Sequence, residues 1–236
     1  MDPYIFLGFA AVYAGLLLWG IQMANWSGWW TPANIPLLVV AALVYDNLIL
    51  GIGHVLGEGS LLHALSLGRY IIHALITPLL VAWALHTLRR AGFEWAQTRG
   101  FQIASIGAAV ALTILEYFLE VRGLELVPQE EYGVLSYASS EPPSGPPIMV
   151  LIVALFLVVA GAMVWWKQKW PWLFIGAVIM TIGSAVEIPV ESGAITNAFE
   201  LVLLISILAT KDFQDKNDRS VEARGATSSA PAPASS

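Results

Sequence analysis

Long apolar runs alternate with short polar stretches along this chain. Seven such runs cover residues 4–24, 35–56, 61–88, 101–121, 148–166, 172–188 and 193–210. A helix needs roughly 20 apolar residues to cross the hydrocarbon core of a bilayer, and most of the runs reach that length. The pattern therefore predicts an all-α, polytopic membrane protein whose seven transmembrane helices form one domain over residues 1–210.

Composition agrees with a membrane protein and shows how little of the chain lies outside the bilayer. Of 236 residues, 57% are hydrophobic and 12% are charged, whereas soluble domains carry about 25% charged residues. Two longer polar segments remain, an acidic loop at residues 122–147 and a C-terminal tail at residues 211–236. The tail ends in Ser, Ala and Pro residues that cannot bury enough apolar surface to fold, so we expect it to be disordered.

The distribution of basic residues predicts the orientation of the helices. Lysine and arginine follow the third, fifth and seventh runs, whereas the loop after the fourth run carries four glutamates and one arginine. Loops rich in lysine and arginine stay cytoplasmic. We therefore expect the N-terminus outside and the C-terminus in the cytoplasm, in a multi-pass protein of the plasma membrane.

Polar side chains on the second and third runs are expected to meet inside the membrane. The third run carries polar residues at spacing i, i+3, i+7 and i+11, which places them on one helix face: Ser66, Arg69, His73 and Thr77. A short turn at residues 57–60 joins the two runs, so their helices are antiparallel neighbours. Asp46, near the middle of the second run, is therefore expected to partner Arg69 or His73.

Polar residues inside hydrocarbon are costly unless they are paired or wetted, so they define the candidate site. The candidate catalytic residues are Asp46, His73, Glu116 and Glu200. The candidate substrate-binding residues are Arg69, Ser66, Asn47, Asn197 and His54. The carboxylates outnumber Arg69, so some of them must be protonated, neutralised or exposed to water. These positions predict a polar cavity that opens toward the outer surface.

Several chemistries are excluded by residue type or spacing. The chain has no cysteine, which excludes thiol catalysis, disulfides and iron–sulfur ligation by this chain alone. His63 and His73 lie about 15 Å apart in height along one helix, so they cannot share a zinc ion, and we predict no metal site. No basic stripe or phosphate-binding glycine loop is present, so no nucleic-acid partner is expected. The motifs assign the chain to no family and name no cofactor or oligomeric state.

The leading hypothesis is an intramembrane enzyme that performs acid–base chemistry on a lipid or isoprenoid-like substrate. Asp46 and His73 would transfer protons, and Glu116 or Glu200 would supply a second acid. Arg69 would bind an anionic head group or set the proton affinity of Asp46. Two alternatives stay open: a protein that binds, senses or transports a small amphiphile, and a structural or assembly protein whose ion pairs serve packing alone. Membrane lipids are the expected partners in each case.

Overall fold

The computed structural model describes residues 2–141, 147–185 and 192–228. Eight α-helices make up most of them: α1 Asp2–Ser27, α2 Ile35–Leu56, α3 Ser60–Ile76, α4 Leu79–Arg90, α5 Arg99–Glu116, α6 Ile148–Gln168, α7 Trp172–Ala185 and α8 Ala194–Ser228. Two antiparallel strands, β1 Leu126–Glu131 and β2 Val134–Ser139, lie between α5 and α6. Short 3₁₀ turns at Pro32–Asn34 and Glu94–Gln97 precede α2 and α5, and a π-helical turn at Tyr117–Val121 follows α5.

Six helical segments of the described residues are long and apolar enough to cross a membrane by length and composition. They correspond to six of the predicted runs, and α3 with α4 makes up one of them. The remaining helix, α7, has 14 residues and is shorter than such a span. The end of that predicted run, residues 186–188, lies outside the described residues. The chain is therefore a mostly helical, multi-pass membrane protein.

The helices pack into a bundle, and their contacts decide which of them border the candidate site. α1 packs against α2 and α8, and α7 packs between α6 and α8. α4 lies between α2 and α6, whereas α5 is peripheral and packs mainly on α4 and α3. α6 and α7 approach closely at Gly161, where an added Cβ would lie 2.5 Å from the backbone nitrogen of Phe174. Large side chains such as Trp83 and Leu157 fill the core.

Pro78 divides the third predicted run into two helices, in agreement with the kink that its position predicts. Proline has no N–H group, so it cannot donate to the carbonyl four residues earlier. α3 ends at Ile76, and the N–H of Leu80 donates to the carbonyl of Thr77 at 3.1 Å in a tighter turn. The break lies about one turn after His73, so the backbone geometry changes beside the candidate site.

Part of the predicted loop folds into a β-hairpin, which the all-α prediction did not include. β1 and β2 pair in antiparallel register, with Leu126 opposite Ser139 and Glu131 opposite Val134. Tyr132 and Gly133 form the turn, and both have positive φ, 51° and 80°. The tight two-residue connection therefore gives this segment a defined structure of its own.

The hairpin rests on the helices beneath it. The N–H of Tyr137 donates to Ser66 Oγ of α3 at 3.2 Å, and the N–H of Ser139 donates to the Tyr70 hydroxyl at 3.3 Å. The Tyr137 hydroxyl also accepts a hydrogen bond from the N–H of Gly59 at 3.1 Å. These contacts fix the hairpin over the end of the bundle where α2 and α3 meet.

α8 continues beyond the last predicted run and is helical to Ser228, over residues that the sequence analysis expected to be disordered. The first part of this extension is buried: Lys211 and Gln214 are each 1% exposed, and Asp215 is 5% exposed. Lys211 Nζ donates to Asp215 Oδ2 at 2.6 Å, and Arg90 Nη2 donates to Asp215 Oδ1 at 2.7 Å. The partner on α4 is remote in sequence, so composition alone did not reveal that this segment packs. Residues 229–236 of the predicted tail lie outside the described residues.

Candidate functional site

Asp46 of α2 and Arg69 of α3 form an ion pair inside the bundle. Arg69 Nε donates to Asp46 Oδ1 at 2.7 Å. The two side chains are mostly buried, with 18% of Arg69 and 25% of Asp46 exposed. The contact confirms the predicted pairing, which rested on the antiparallel arrangement of α2 and α3. A charge-assisted bond in this setting is stronger than a neutral one and holds both groups in one orientation.

His73 lies one helical turn beyond Arg69 on α3 and lines the same cavities as the ion pair. Its Nδ1 lies 3.4 Å from Thr77 Oγ1. A neutral imidazole carries one donor and one acceptor nitrogen, so the ring can take up a proton at one nitrogen and release one from the other. The position therefore provides a proton-transfer group beside a fixed carboxylate.

A cavity of about 70 Å³ lies next to the ion pair, and we call it the inner cavity. Its polar lining consists of Asp46, Arg69, His73, Thr77 and Glu200. The rest of its wall is apolar and comes from α2, α3, α4, α6, α7 and α8, with Leu43, Leu80, Val153, Leu157, Met180 and Leu204 among the contributors. The inner cavity is therefore lined by apolar side chains together with a cluster of ionisable groups.

A second cavity of about 290 Å³, which we call the lateral cavity, lies between α3, the C-terminal end of α5 and the start of α6. It is lined by Asp46, Arg69, Tyr70, His73, Glu116, Glu120, Pro147 and Val150. Glu116 is only 7% exposed although it lies on the peripheral helix. Glu120 follows in the π-helical turn, and both carboxylates face this cavity. Such turns recur at functional sites.

A third cavity of about 210 Å³ lies under the hairpin, and we call it the vestibule. Its polar lining includes Asp2, Gln129, Glu131, Ser136 and Ser192, together with Arg69. Arg69 lines the vestibule, the lateral cavity and the inner cavity, so the ion pair lies where the three meet.

The structure brings together five of the predicted site residues. Asp46, Arg69 and His73 line both the inner and the lateral cavity. Glu200 joins them at the inner cavity, and Glu116 joins them at the lateral cavity. The four candidate catalytic residues and the predicted arginine therefore share one connected region.

Asn47 and Asn197, which were predicted to bind substrate, are buried in helix contacts and line none of the three cavities. Asn47 Nδ2 donates to Asn197 Oδ1 at 2.7 Å. The Tyr13 hydroxyl donates to the carbonyl of Asn197 at 3.0 Å. These bonds hold α1, α2 and α8 together, so both asparagines contribute to helix packing.

The other two predicted binding residues also lie away from the three cavities. Ser66 is buried and accepts the N–H of Tyr137, so it anchors the hairpin. His54 is exposed near the end of α2. Ser66 shares a helix face with Arg69, so its depth along α3 separates it from the cavities. His54 lies about two helical turns beyond Asp46 along α2.

Two groups near the site were missed from the sequence. Tyr70 lines the lateral cavity and its hydroxyl accepts a hydrogen bond from the hairpin. The sequence feature that could have indicated Tyr70 was its position directly after Arg69. Glu131 and Gln129 line the vestibule only because the loop folds into a hairpin, and no feature of the apolar pattern predicted that fold.

Metal binding finds no support among residues 2–141, 147–185 and 192–228, where no group of three His, Asp or Glu side chains could hold an ion.

Comparisons with models of protein families, with curated proteins and with solved structures find no match for this chain. Its function is therefore argued from the cavities and from the residues that line them.

Proposed function

We propose that the chain is a seven-helix protein of the plasma membrane, with its N-terminus outside and its C-terminus in the cytoplasm. Basic residues after α4, α6 and within α8, against the glutamates around the hairpin, support this orientation. The 14 described residues of α7 extend over about 21 Å. In the sequence, the predicted run covers residues 172–188, which is at the lower end of the length needed for a span. The hairpin then covers the outer end of the site.

In the proposed function, the protein is an acid–base enzyme that acts on a lipid or isoprenoid-like substrate. One observation carries this proposal: the apolar inner cavity ends at a cluster of ionisable residues that also lines the lateral cavity. An apolar chain would occupy the inner cavity, and the polar end of the same molecule would lie beside Asp46 and His73. A mostly apolar pocket with a few convergent polar groups is the usual form of a small-molecule site.

The residues take distinct roles in this proposal. His73 transfers the proton, since it lies beside the ion pair and has an ionisable nitrogen on each side of its ring. Asp46 exchanges the proton with His73. Arg69 holds the Asp46 carboxylate in place and neutralises its charge through the 2.7 Å contact. Glu200, which lines the inner cavity on the α8 side, supplies the second acid.

The test is turnover of membrane lipids by the purified protein. Wild-type protein in nanodiscs is incubated with a total lipid extract, and mass spectrometry follows the loss of each lipid and the gain of products. We expect conversion by the wild type and at least a 100-fold slower rate for Asp46→Asn and His73→Ala, because general acid–base groups contribute about 10²–10⁴-fold. His54→Ala is the matched control, since His54 is exposed and lines none of the three cavities. Equal conversion by all four proteins would exclude the assigned roles.

A second candidate is a protein that binds or senses an amphiphile without changing it. The existing pairing of Asp46 with Arg69 favours it, because a satisfied ion pair can bind and orient a ligand without transferring protons. The same experiment separates the two, since a lipid that is retained by the wild type but leaves unchanged supports binding alone. Proton-linked transport ranks lower, because the inner cavity has mainly apolar walls beyond the cluster. Accumulation of a substrate in proteoliposomes would reverse that ranking.

A purely structural role is the remaining alternative. It predicts that Asp46 and Arg69 can be replaced together by neutral residues with no change in ligand retention or turnover. The connected cavities argue against it, because an ion pair that served packing alone would not need to line open space.

A further inference from the structure

The lateral cavity combines three carboxylates with one guanidinium among its described lining residues. Asp46, Glu116 and Glu120 supply the carboxylates, and Arg69 supplies the guanidinium. Arg69 is already bonded to Asp46 at 2.7 Å, so its charge is matched within the protein. Glu116 and Glu120 remain as two carboxylates, and the other basic side chain among the described lining residues is the imidazole of His73.

Glu116 provides an independent sign that this cavity takes a ligand. Its residue surface is 7% exposed, it faces the lateral cavity, and it has no hydrogen-bond or ion-pair partner among the described residues. Its carboxylate oxygens are not among the fully buried atoms that lack a partner, so they are accessible from the cavity. A carboxylate in such a mostly enclosed place is costly without a partner, and a molecule in the cavity can supply that partner.

The surroundings of the lateral cavity indicate how that molecule arrives. The helix face beside Glu116 is apolar and exposed at Leu119, which lies three residues later and is 53% exposed. In a membrane protein such a face contacts lipid. Pro147 and Val150 of the α6 start form the opposite apolar wall of the cavity. A ligand in the bilayer therefore has access to the carboxylates from the side.

We propose that the lateral cavity binds the protonated amine head group of a membrane amphiphile, with the ammonium between Glu116 and Glu120. An ammonium offers three N–H donors and no acceptor, which complements carboxylates that can only accept when ionised. Burying such a charge is favourable only when an opposite charge and hydrogen bonds accompany it, and the two glutamates supply both. The lipid-like nature of the ligand rests on the proposed function, whereas the choice of an amine rests on the charges of the cavity.

The test compares two amphiphiles of equal chain length, dodecylamine and dodecanol. Each is radiolabelled and titrated against the full chain in phosphatidylcholine nanodiscs, with empty nanodiscs subtracted. We expect dodecylamine to bind at least tenfold more tightly than dodecanol. Glu116→Gln keeps the shape of the side chain and removes its charge, and it should weaken dodecylamine binding at least tenfold.

Matched variants make the result specific. Glu130→Gln removes an exposed carboxylate that lines none of the three cavities, so dodecylamine binding should stay unchanged. Glu120→Gln is the second test variant, since Glu120 is less buried than Glu116 and its replacement is less disruptive to folding. Glu200→Gln should retain amine binding while slowing turnover, because Glu200 lines the inner cavity but not the lateral cavity, and this separates the proposal from the proposed function.

Three results would overturn the inference. The first is equal binding of dodecylamine and dodecanol to the wild type. The second is unchanged dodecylamine binding in both Glu116→Gln and Glu120→Gln. The third is complete displacement of dodecylamine by millimolar calcium chloride together with Glu116-dependent binding of calcium, which would identify a site for inorganic cations.

Discussion

Arg69 Nε lies 2.7 Å from Asp46 Oδ1 at the point where the three cavities meet. The bond uses one of the five N–H donors of the guanidinium, and it fixes and neutralises the aspartate. The other donors can still bind an anionic group in the cavities that Arg69 lines. The amine ligand proposed above binds to Glu116 and Glu120 and leaves this ion pair intact.

Breaking the ion pair on one side should destabilise the bundle. In Asp46→Asn, Arg69 keeps its charge inside the protein without a carboxylate, and we expect a loss of about 3 kcal/mol in the free energy of unfolding. In the double variant Asp46→Asn with Arg69→Gln, no uncompensated charge remains, so most of that loss should be recovered. Unfolding in mixed detergent micelles measures both. A double variant that is less stable than the single one would contradict the assignment of the cost to the unpaired charge.

The parts of the site that could be predicted depended on local information. The spacing of Arg69 and His73 on one helix and the short turn after α2 were sufficient to place Asp46 beside Arg69. The break at Pro78 followed from the missing N–H group of proline. Each of these inferences needed only the geometry of one helix or of two helices joined by a short turn.

The parts that were missed depend on contacts between distant segments. β1 reads Leu-Val-Pro-Gln-Glu-Glu, which lacks the alternation of apolar and polar residues that marks a half-buried strand. Its partner strand is fixed by α3 through the Tyr137–Ser66 bond, across 71 residues of sequence. Similarly, the position of a residue around a helix axis depends on helix packing, so Asn197 shared its depth with the site without facing it.

The two lysine–aspartate pairs of α8 should differ sharply in their contribution to stability. Lys211 and Asp215 are buried, whereas the side chain of Lys216, which pairs with Asp212 at 2.5 Å, is 65% exposed. Asp215→Asn leaves Lys211 buried without its carboxylate, and we expect a loss of about 3–5 kcal/mol in the free energy of unfolding. The matched variant Asp212→Asn should cost about 1 kcal/mol or less, because Lys216 is left in solvent although the Asp212 side chain is only 22% exposed.

Thermal or detergent-induced unfolding of these two variants, measured side by side with the wild type, checks the difference. The same experiment tests the extension of α8, because a disordered segment would make the two replacements equally harmless. Proteolysis adds a direct readout, since Asp215→Asn should expose the segment after Thr210 to cleavage and Asp212→Asn should not.

Asn47 should prove important for stability and unimportant for ligand binding. Its replacement by alanine removes the donor to Asn197 Oδ1 and leaves that buried oxygen unsatisfied. The expected loss in the free energy of unfolding is about 1–3 kcal/mol. Binding of dodecylamine should be unchanged in Asn47→Ala, because Asn47 lines none of the three cavities. A large change in dodecylamine affinity, with the free energy of unfolding unchanged, would show that Asn47 belongs to the binding site.

The docking of the hairpin on α2 should depend on the absence of a side chain at Gly53. A Cβ added at this position would overlap the carbonyl oxygen of Leu135, which is backbone and cannot move without shifting the strand. We therefore expect Gly53→Ala to lift β2 and to break the bond from the Tyr137 N–H to Ser66. Gly107→Ala on α5 is the matched control, since an added Cβ there meets nothing within 4 Å.

Hydrogen exchange followed by mass spectrometry measures this displacement in nanodiscs. Amide protons of residues 134–139 should exchange at least tenfold faster in Gly53→Ala than in the wild type, because those that bond to α3 become open to water. Ser66→Ala removes only the acceptor for Tyr137, so its effect should be confined to that part of β2. Since the hairpin covers the vestibule, Gly53→Ala should also increase the access of water-soluble reagents to the site. Equal exchange in Gly53→Ala and Gly107→Ala would show that the hairpin is held by other contacts.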